Sequence, residues 1–238
     1  MIQINNEFNQ LQYLTNIEIP TLHLTFNIPL RPNQINQWRG AIIQSTGGDK
    51  AAFHNHQEGE KKYHYNYPLI QYRTHRGKAA IFGIGKGSQL LRNWILAAPP
   101  AIEIGKKLRP LRLLNIQDDL QQISMSEQTY TYYMHQYLPF NRDNFNRWKN
   151  KSSLKEGIDI LESVLVGQLI NFASGMDWQL PEHLQVTIED IHFMDTLKHY
   201  QVKRVAFNLT FTANIQLPVG MGLGKGVSHG FGVTRRFN

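Results

Sequence analysis

The strongest constraint on the fold is a strict alternation of apolar and polar residues late in the chain. Every second residue from Val205 to Leu217 is apolar, and most of the residues between them are polar. A period of two is the signature of a β-strand with one buried face. The other face carries asparagine, threonine and glutamine, with Arg204 at its start. It therefore faces solvent or a ligand, as is typical of an antiparallel sheet.

The first half of the chain predicts strands and helices in a regular order. The alternation in "LHLTFNI", residues 22–28, predicts a strand, and the helix after it has one apolar face with a spacing of three and four. Residues 67–84 predict two strands joined by a turn near Arg76–Gly77. Ser88 is expected to cap a second helix, and residues 101–116 predict one or two further strands. This order is the ferredoxin-like plan.

The second half repeats that order in part. The aromatic segment "QTYTYYMHQYLPF" predicts a strand, and Ser153 with Glu156 forms a capping box before a sustained helical stripe. Two strands and a short final strand at 233–237 follow, but a second helix is not evident. We therefore predict an α+β fold of tandem ferredoxin-like (RRM-like) domains, the second degenerate. The predicted domains are 1–118 and 119–238, with the boundary near Asp118–Asp119.

Composition limits the expected binding partners and the catalytic and metal-binding groups that the chain can use. The net charge is +7 and the pI is near 9.5, which favours a polyanion such as nucleic acid. The chain has no cysteine, which excludes disulfides, thiol catalysis and Cys-ligated zinc and is typical of a cytoplasmic protein. No apolar stretch approaches the roughly 20 residues that a membrane span needs, and the first residues do not resemble a signal peptide.

A run of glycines precedes the final strand and carries the main candidate binding site. A dinucleotide site would need a helix and an acidic residue after the run, and neither follows. One interpretation is a flexible hairpin, since glycine tolerates positive φ. The other is a phosphate-binding nest of backbone N–H groups, assisted by nearby cations. The residues concerned are Gly220, Gly222, Gly224, Lys225, Gly226, His229, Gly230, Gly232, Arg235 and Arg236.

A histidine- and tyrosine-rich segment, residues 54–67, is the main candidate for a catalytic site. His54 and His56 would share a face of a strand, but a zinc site needs further ligands that the segment lacks. The adjacent letters His-Asn-His are not evidence for the metal nucleases named after them. An imidazole could instead transfer protons during RNA cleavage, with help from Tyr63 and from Lys50. The alternative is an inert set of surface side chains.

These features together resemble a known family. The carrying features are the paired ferredoxin-like order, the late glycine run before a final strand, and "RGAIIQ…FHNH…YPLIQYR…GKAAIFGI". They resemble the CRISPR-associated endoribonucleases of the RAMP superfamily, the sixth protein of that series. The resemblance implies metal-independent cleavage of CRISPR repeat RNA without a cofactor. The 2′-hydroxyl attacks the adjacent phosphate and leaves 2′,3′-cyclic phosphate and 5′-hydroxyl ends.

The resemblance also suggests roles for residues. His56 is the first candidate for proton transfer and His54 the second, with Tyr63 as a helper and Lys50 as an electrostatic contributor. The glycine run, including His229, is expected to hold the RNA. The implied partners are CRISPR repeat RNA and a CRISPR effector complex, and homodimerisation stays open. The alternative function is a non-catalytic RNA-binding subunit of such a complex, and a basic membrane-surface protein ranks last.

Overall fold

The computed structural model describes residues 16–47, 53, 67–180, 183–199 and 202–237. The helices within these residues are α1 (Ile35–Ser45), α2 (Lys86–Leu96), α3 (Arg142–Lys149) and α4 (Leu154–Gly175). The strands are β1 (Asn16–Pro29), β2 (Ile70–His75), β3 (Lys78–Ile84), β4 (Ala101–Ile104), β5 (Lys107–Pro110), β6 (Leu113–Tyr137), β7 (Val186–His199), β8 (Val202–Gln216) and β9 (Val233–Arg236).

The N-terminal half has the predicted ferredoxin-like topology. β1 pairs with β3 and β6, and β2 pairs with β3, all antiparallel, which gives the order β2-β3-β1-β6. The β2–β3 hairpin turns at Arg76 and Gly77, both at positive φ, the conformation that two-residue hairpins favour. Trp38 of α1 and Leu91 of α2 share one apolar core with Phe26, so both helices cover the same face. β4 and β5 form a separate small hairpin.

The C-terminal half repeats the plan with one helix replaced. β8 pairs with β7 and with the second part of β6, and β9 pairs with β6 on its other side. The order β7-β8-β6-β9 is again ferredoxin-like, with α4 in the position of the first helix. The glycine loop between β8 and β9 occupies the position of the second helix and contains one 3₁₀ turn (Val227–His229). The prediction of a degenerate second unit is confirmed.

One long strand joins the halves. β6 runs over 25 residues, and pairs with β1 at its start and with β8 and β9 at its end. The two halves therefore share one sheet, and the boundary near Asp118–Asp119 stays a prediction. The larger core lies under α4, whose apolar stripe packs on Phe207, Leu209 and Phe211.

The helix starts differ in detail from the predicted caps. Ser153 accepts from the Glu156 N–H at 3.1 Å as expected, but the Glu156 carboxylate accepts from Ser152 rather than from Ser153. The prediction that Ser88 caps α2 is wrong. The helix begins at Lys86, two residues before Ser88, and the Ser88 hydroxyl donates back to the Gly85 carbonyl at 2.8 Å. None of the helices in the described part of the chain is long and apolar enough to span a bilayer.

Candidate nucleic-acid interface

The glycine loop is a packed structure rather than a flexible hairpin. Met221, Leu223 and Val227 are buried under it. The loop is fixed to the end of β6, because the Lys225 N–H donates to the Leu138 carbonyl at 2.8 Å. At the start of β9, the Thr234 hydroxyl donates to the Met221 carbonyl at 2.9 Å. These bonds hold the loop in one shape, as a preformed binding surface requires.

Glycine is required at two positions of the loop, where the backbone passes close to another segment of the chain. Gly232 has φ 64°, and a Cβ there would lie 1.9 Å from the Leu223 carbonyl oxygen. Gly224 has φ 91°, and its Cβ would lie 2.8 Å from the Leu138 carbonyl oxygen. Both positions combine left-handed backbone with contact to another chain segment, which only glycine accommodates without strain. The bare backbone therefore serves the packing of the loop at these sites.

A buried arginine of the N-terminal half is hydrogen-bonded to the glycine loop. The Arg73 guanidinium donates to the Gly220 carbonyl at 2.7 Å and to the Gln71 side-chain oxygen at 3.1 Å. It lies 4.6 Å from the centre of the Phe82 ring. Burial lowers the pKa of Arg73 to about 10, and the nearby Tyr67 opposes this shift only in part. A buried cation of this kind is costly, so its hydrogen bonds to the loop are needed to retain it.

A second contact reaches the loop from Tyr67, three residues before β2. The Tyr67 hydroxyl donates to the Gly222 carbonyl at 2.9 Å and accepts from the Gln71 amide at 3.0 Å. Sequence analysis assigned no role to Tyr67, Gln71 or Arg73. The available signal was the pair Gln71 and Arg73, two polar residues at alternate positions of the predicted strand, which therefore share one face.

A cleft of about 490 Å³ separates the loop from α4. Its walls combine polar and apolar groups, and its volume lies in the range of small-molecule sites. Side chains from Asn144, Ser163 and Asn171 line the helical side, and Gly224, Lys225 and Ser228 line the loop side. Amides, hydroxyls and one ammonium group can all bind phosphate or ribose oxygens. The cleft therefore has the size and chemistry of a nucleotide site.

The lysine of the loop is the cation at this cleft. Lys225 is half-buried, and burial lowers its pKa, with a further contribution from the nearby Arg204. Both causes disfavour the ammonium form, so an anion bound in the cleft would stabilise it. This arrangement favours a phosphate group as the ligand.

The other predicted binding residues do not all face the cleft. Arg235 and Arg236 are neighbours on β9, so their side chains point to opposite faces of the sheet. The Arg236 guanidinium lies 4.5 Å from the centre of the Tyr130 ring. His229 is buried, with its Nδ1 3.1 Å from the Ser228 hydroxyl oxygen. Among the glycines, Gly220, Gly224, Gly226 and Gly230 are partly exposed, whereas Gly222 and Gly232 are buried.

The predicted catalytic residues Lys50, His54, His56 and Tyr63 lie outside the described residues. The residues that bound this segment are described. Phe53 and Tyr67 are both buried, and Tyr67 is the residue that bonds to Gly222 of the loop. Pro68, which follows it, lines the cleft. The residues just before β2 therefore contact the loop and line the cleft.

Three titratable side chains lie near Arg73 or on β6. His23 is held neutral, because burial and then Arg73 lower its pKa to about 4. Its ring lies 5.4 Å from that of His75, edge to face. His135 is exposed on β6, and partial desolvation followed by Arg235 lowers its pKa. Within the described ranges, no group of three or more acidic or histidine side chains could hold a metal ion.

Comparison with known families agrees with this architecture. The family model described as the Cas6b N-terminal domain matches residues 15–122, and that of the Cas6b C-terminal domain matches residues 124–237. The chain belongs to the Cas6b family. The resemblance to the sixth CRISPR-associated protein is thereby confirmed, and the Cas6b match covers both halves, including the glycine loop. Among curated protein sequences, none matches this chain.

Solved structures share the fold of this Cas6b-family protein. One described as Cas6b superposes with a TM-score of 0.80 at 22% identity, over 93% of this chain and 100% of the other. Another, described as the CRISPR RNA processing endoribonuclease Cas6b, gives 0.70 at 21% identity over the same shares. A structure described as a Cas6 product complex gives 0.55 at 12% identity, over 94% of this chain and 99% of the other. These likenesses confirm the predicted α+β fold class.

Proposed function

We propose that this Cas6b-family protein is an endoribonuclease that cleaves CRISPR repeat RNA to release guide RNAs. The observation that carries the proposal is the family match over both halves of the chain. A structure of the same fold is described as a CRISPR RNA processing endoribonuclease. The positive net charge and the amide, hydroxyl and ammonium groups in the cleft beside the glycine loop support RNA as the substrate.

The glycine loop binds the RNA backbone in this proposal. Backbone N–H groups near Gly224 and Gly226 donate to phosphate oxygens, and Lys225 adds a charge-assisted contact. Asn144 and Asn171 on the helical side of the cleft bind ribose or phosphate oxygens. Such contacts position a strand without reading its bases, so the repeat is recognised elsewhere on the protein.

Cleavage proceeds through the ribose of the substrate. A base removes the proton of the 2′-hydroxyl, and the 2′-oxygen attacks the adjacent phosphorus. The bond from phosphorus to the 5′-oxygen of the next nucleotide breaks, and an acid returns a proton to that oxygen. The products are a 2′,3′-cyclic phosphate and a 5′-hydroxyl. His56, with His54 as the second candidate, transfers protons, while Tyr63 and Lys50 stabilise the charge on the phosphate.

The further partners are part of the proposal. RNA is the partner class that fits the family. Residence in the cytoplasm, participation in an effector complex and homodimerisation stay predictions, since each follows from the resemblance and composition alone.

One incubation tests the function. Purified protein with repeat RNA in EDTA is expected to yield 2′,3′-cyclic phosphate and 5′-hydroxyl ends, identified by end-labelling and mass spectrometry. His56→Ala should lower the cleavage rate by about 10²- to 10⁴-fold with binding retained, the range for loss of a general acid or base. His183→Ala, an exposed histidine outside the cleft, is the matched control. Bound but intact RNA would instead identify a non-catalytic subunit.

A further inference from the structure

The face of the C-terminal half-sheet opposite α4 carries a row of aromatic rings. We name Phe237, Tyr133 and His192 the aromatic row. The centre of the Tyr133 ring lies 5.7 Å from that of His192 and 6.4 Å from that of Phe237. The three residues come from β6, β7 and the end of the chain after β9, so the row runs across the strands.

These rings do not belong to the core. The core of this half lies on the other face of the same strands, where Met134 and Leu209 are fully buried. On the aromatic face, Phe237 is 54% exposed and the His192 side chain is 42% exposed. Their strand neighbours are polar, and Thr210 lies directly opposite Tyr133 in the β6–β8 register. Large rings among polar residues are not explained by folding of the core.

The rings are held in fixed positions. His192 Nε2 lies 2.7 Å from the Thr210 hydroxyl, and its Nδ1 lies 3.0 Å from the Asp190 carboxylate. Both ring nitrogens are thus engaged, which fixes the orientation of the His192 ring. The Phe237 N–H donates to the Thr131 carbonyl at 3.0 Å and extends the β9–β6 pairing by one step.

Charge is distributed unevenly along the row. Arg235 is exposed on β9 directly opposite Tyr133, and His135 follows on the same face of β6. Two carboxylates lie at the other end, where Asp190 contacts His192 and Glu189 accepts from the Thr212 hydroxyl at 2.8 Å. A phosphate backbone is therefore favoured at the Arg235 end and disfavoured at the β7 end.

We propose that the aromatic row is a stacking platform for two or three unpaired bases of single-stranded RNA, whose phosphates lie towards Arg235. Exposed aromatic rings across an open sheet bind successive bases with little sequence preference, and a nearby arginine binds the backbone. The proposal rests on RNA being the substrate, as proposed above, but places the contact on a different face from the cleft. It gives a single-stranded part of the transcript a second attachment.

The test uses variants that keep the apolar volume and remove the rings. Tyr133→Leu combined with Phe237→Leu should weaken binding of a labelled oligouridylate of about eight nucleotides by roughly 5- to 100-fold in fluorescence anisotropy. Phe145→Leu on α3 is the aromatic control and should leave the affinity unchanged. Photo-crosslinking of 4-thiouridine RNA to the wild type should label Tyr133 or Phe237. Phe237→Leu alone should lose part of the RNA affinity. This single variant tests the proposal even if the double variant does not fold.

Unchanged affinity with crosslinks confined to the glycine loop would overturn the inference. Repeat cleavage by the wild type is measured separately on the same preparation. A protein that cuts the repeat normally but does not bind oligouridylate through the row refutes the platform only. A protein that binds through the row but leaves repeat RNA intact in every buffer refutes the proposed catalysis only.

Discussion

Two glycines with nearly the same backbone conformation provide a matched test of the packed loop. Gly232 has φ 64° and Gly47 has φ 63°, but their surroundings differ. A Cβ at Gly232 would lie 1.9 Å from the Leu223 carbonyl oxygen, whereas a Cβ at Gly47 would meet nothing within 4 Å. Substitution of each by alanine therefore separates the cost of left-handed backbone from the cost of the close approach.

The expected magnitudes follow from these contacts. Both variants lose about 1–2 kcal/mol because an L-residue is strained in the left-handed region. In Gly232→Ala the Leu223 carbonyl must also move by about 1 Å, which disrupts the 2.9 Å bond from the Leu223 N–H to the Gly232 carbonyl. The total for Gly232→Ala is then roughly 3 kcal/mol. At about 2–4 °C per kcal/mol for a chain of this size, Tm should fall by about 4 °C for Gly47→Ala and about 10 °C for Gly232→Ala.

Calorimetry of the two variants and the wild type measures these shifts, and anisotropy with repeat RNA measures binding. Gly232→Ala should also weaken RNA binding, because the displaced backbone includes the loop that lines the cleft. Gly47→Ala should bind like the wild type. Equal Tm shifts in the two variants would refute the reasoning, since they would mean that the close approach at Gly232 carries no energy.

Three further outcomes follow from Arg73, His23 and Lys225. Arg73→Met, which removes the hydrogen bond to the Gly220 carbonyl, should weaken RNA binding by about tenfold, with partial recovery in Arg73→Lys. His23 stays neutral down to pH about 4, whereas the unfolded chain protonates near pH 6.5, so acidification through this window should destabilise the wild type by up to about 3 kcal/mol relative to His23→Gln in urea titrations. An equal loss in both proteins would contradict that assignment. Lys225→Ala should reduce the slope of log Kd against log salt by about 0.7, whereas Lys155→Ala on the exposed face of α4 should not change it.

The fold could be predicted where the pattern of apolar and polar side chains shows which face of an element is buried. The alternation that defines β8 and the Arg76–Gly77 turn both gave the correct element, because side-chain pattern and turn chemistry are local. The length of β6 could not be predicted. Its first part, residues 113–120, is exposed and pairs with β1 through the backbone, so its side chains show no pattern of burial.

The candidate site was visible in part. The glycine run indicated a loop with special backbone, but not what holds it in place. Arg73 lies 147 residues before Gly220, and a hydrogen bond at that separation depends on the arrangement of the two halves rather than on any local signal. Neighbouring residues on a strand face opposite sides, so the sequence does indicate that Arg235 and Arg236 are separated. Both were nevertheless predicted to bind phosphate, because they lie close to the glycine run in the sequence.

The central claim is that repeat RNA is cut by its own 2′-hydroxyl while the glycine-loop cleft holds the strand. The most direct measurement compares a normal repeat RNA with one that carries a single 2′-deoxyribose at the cleavage position. The account predicts equal binding of the two, with cleavage of the normal RNA in EDTA and no cleavage of the deoxy form. Cleavage of the deoxy RNA, or cleavage that requires a divalent ion, would contradict it.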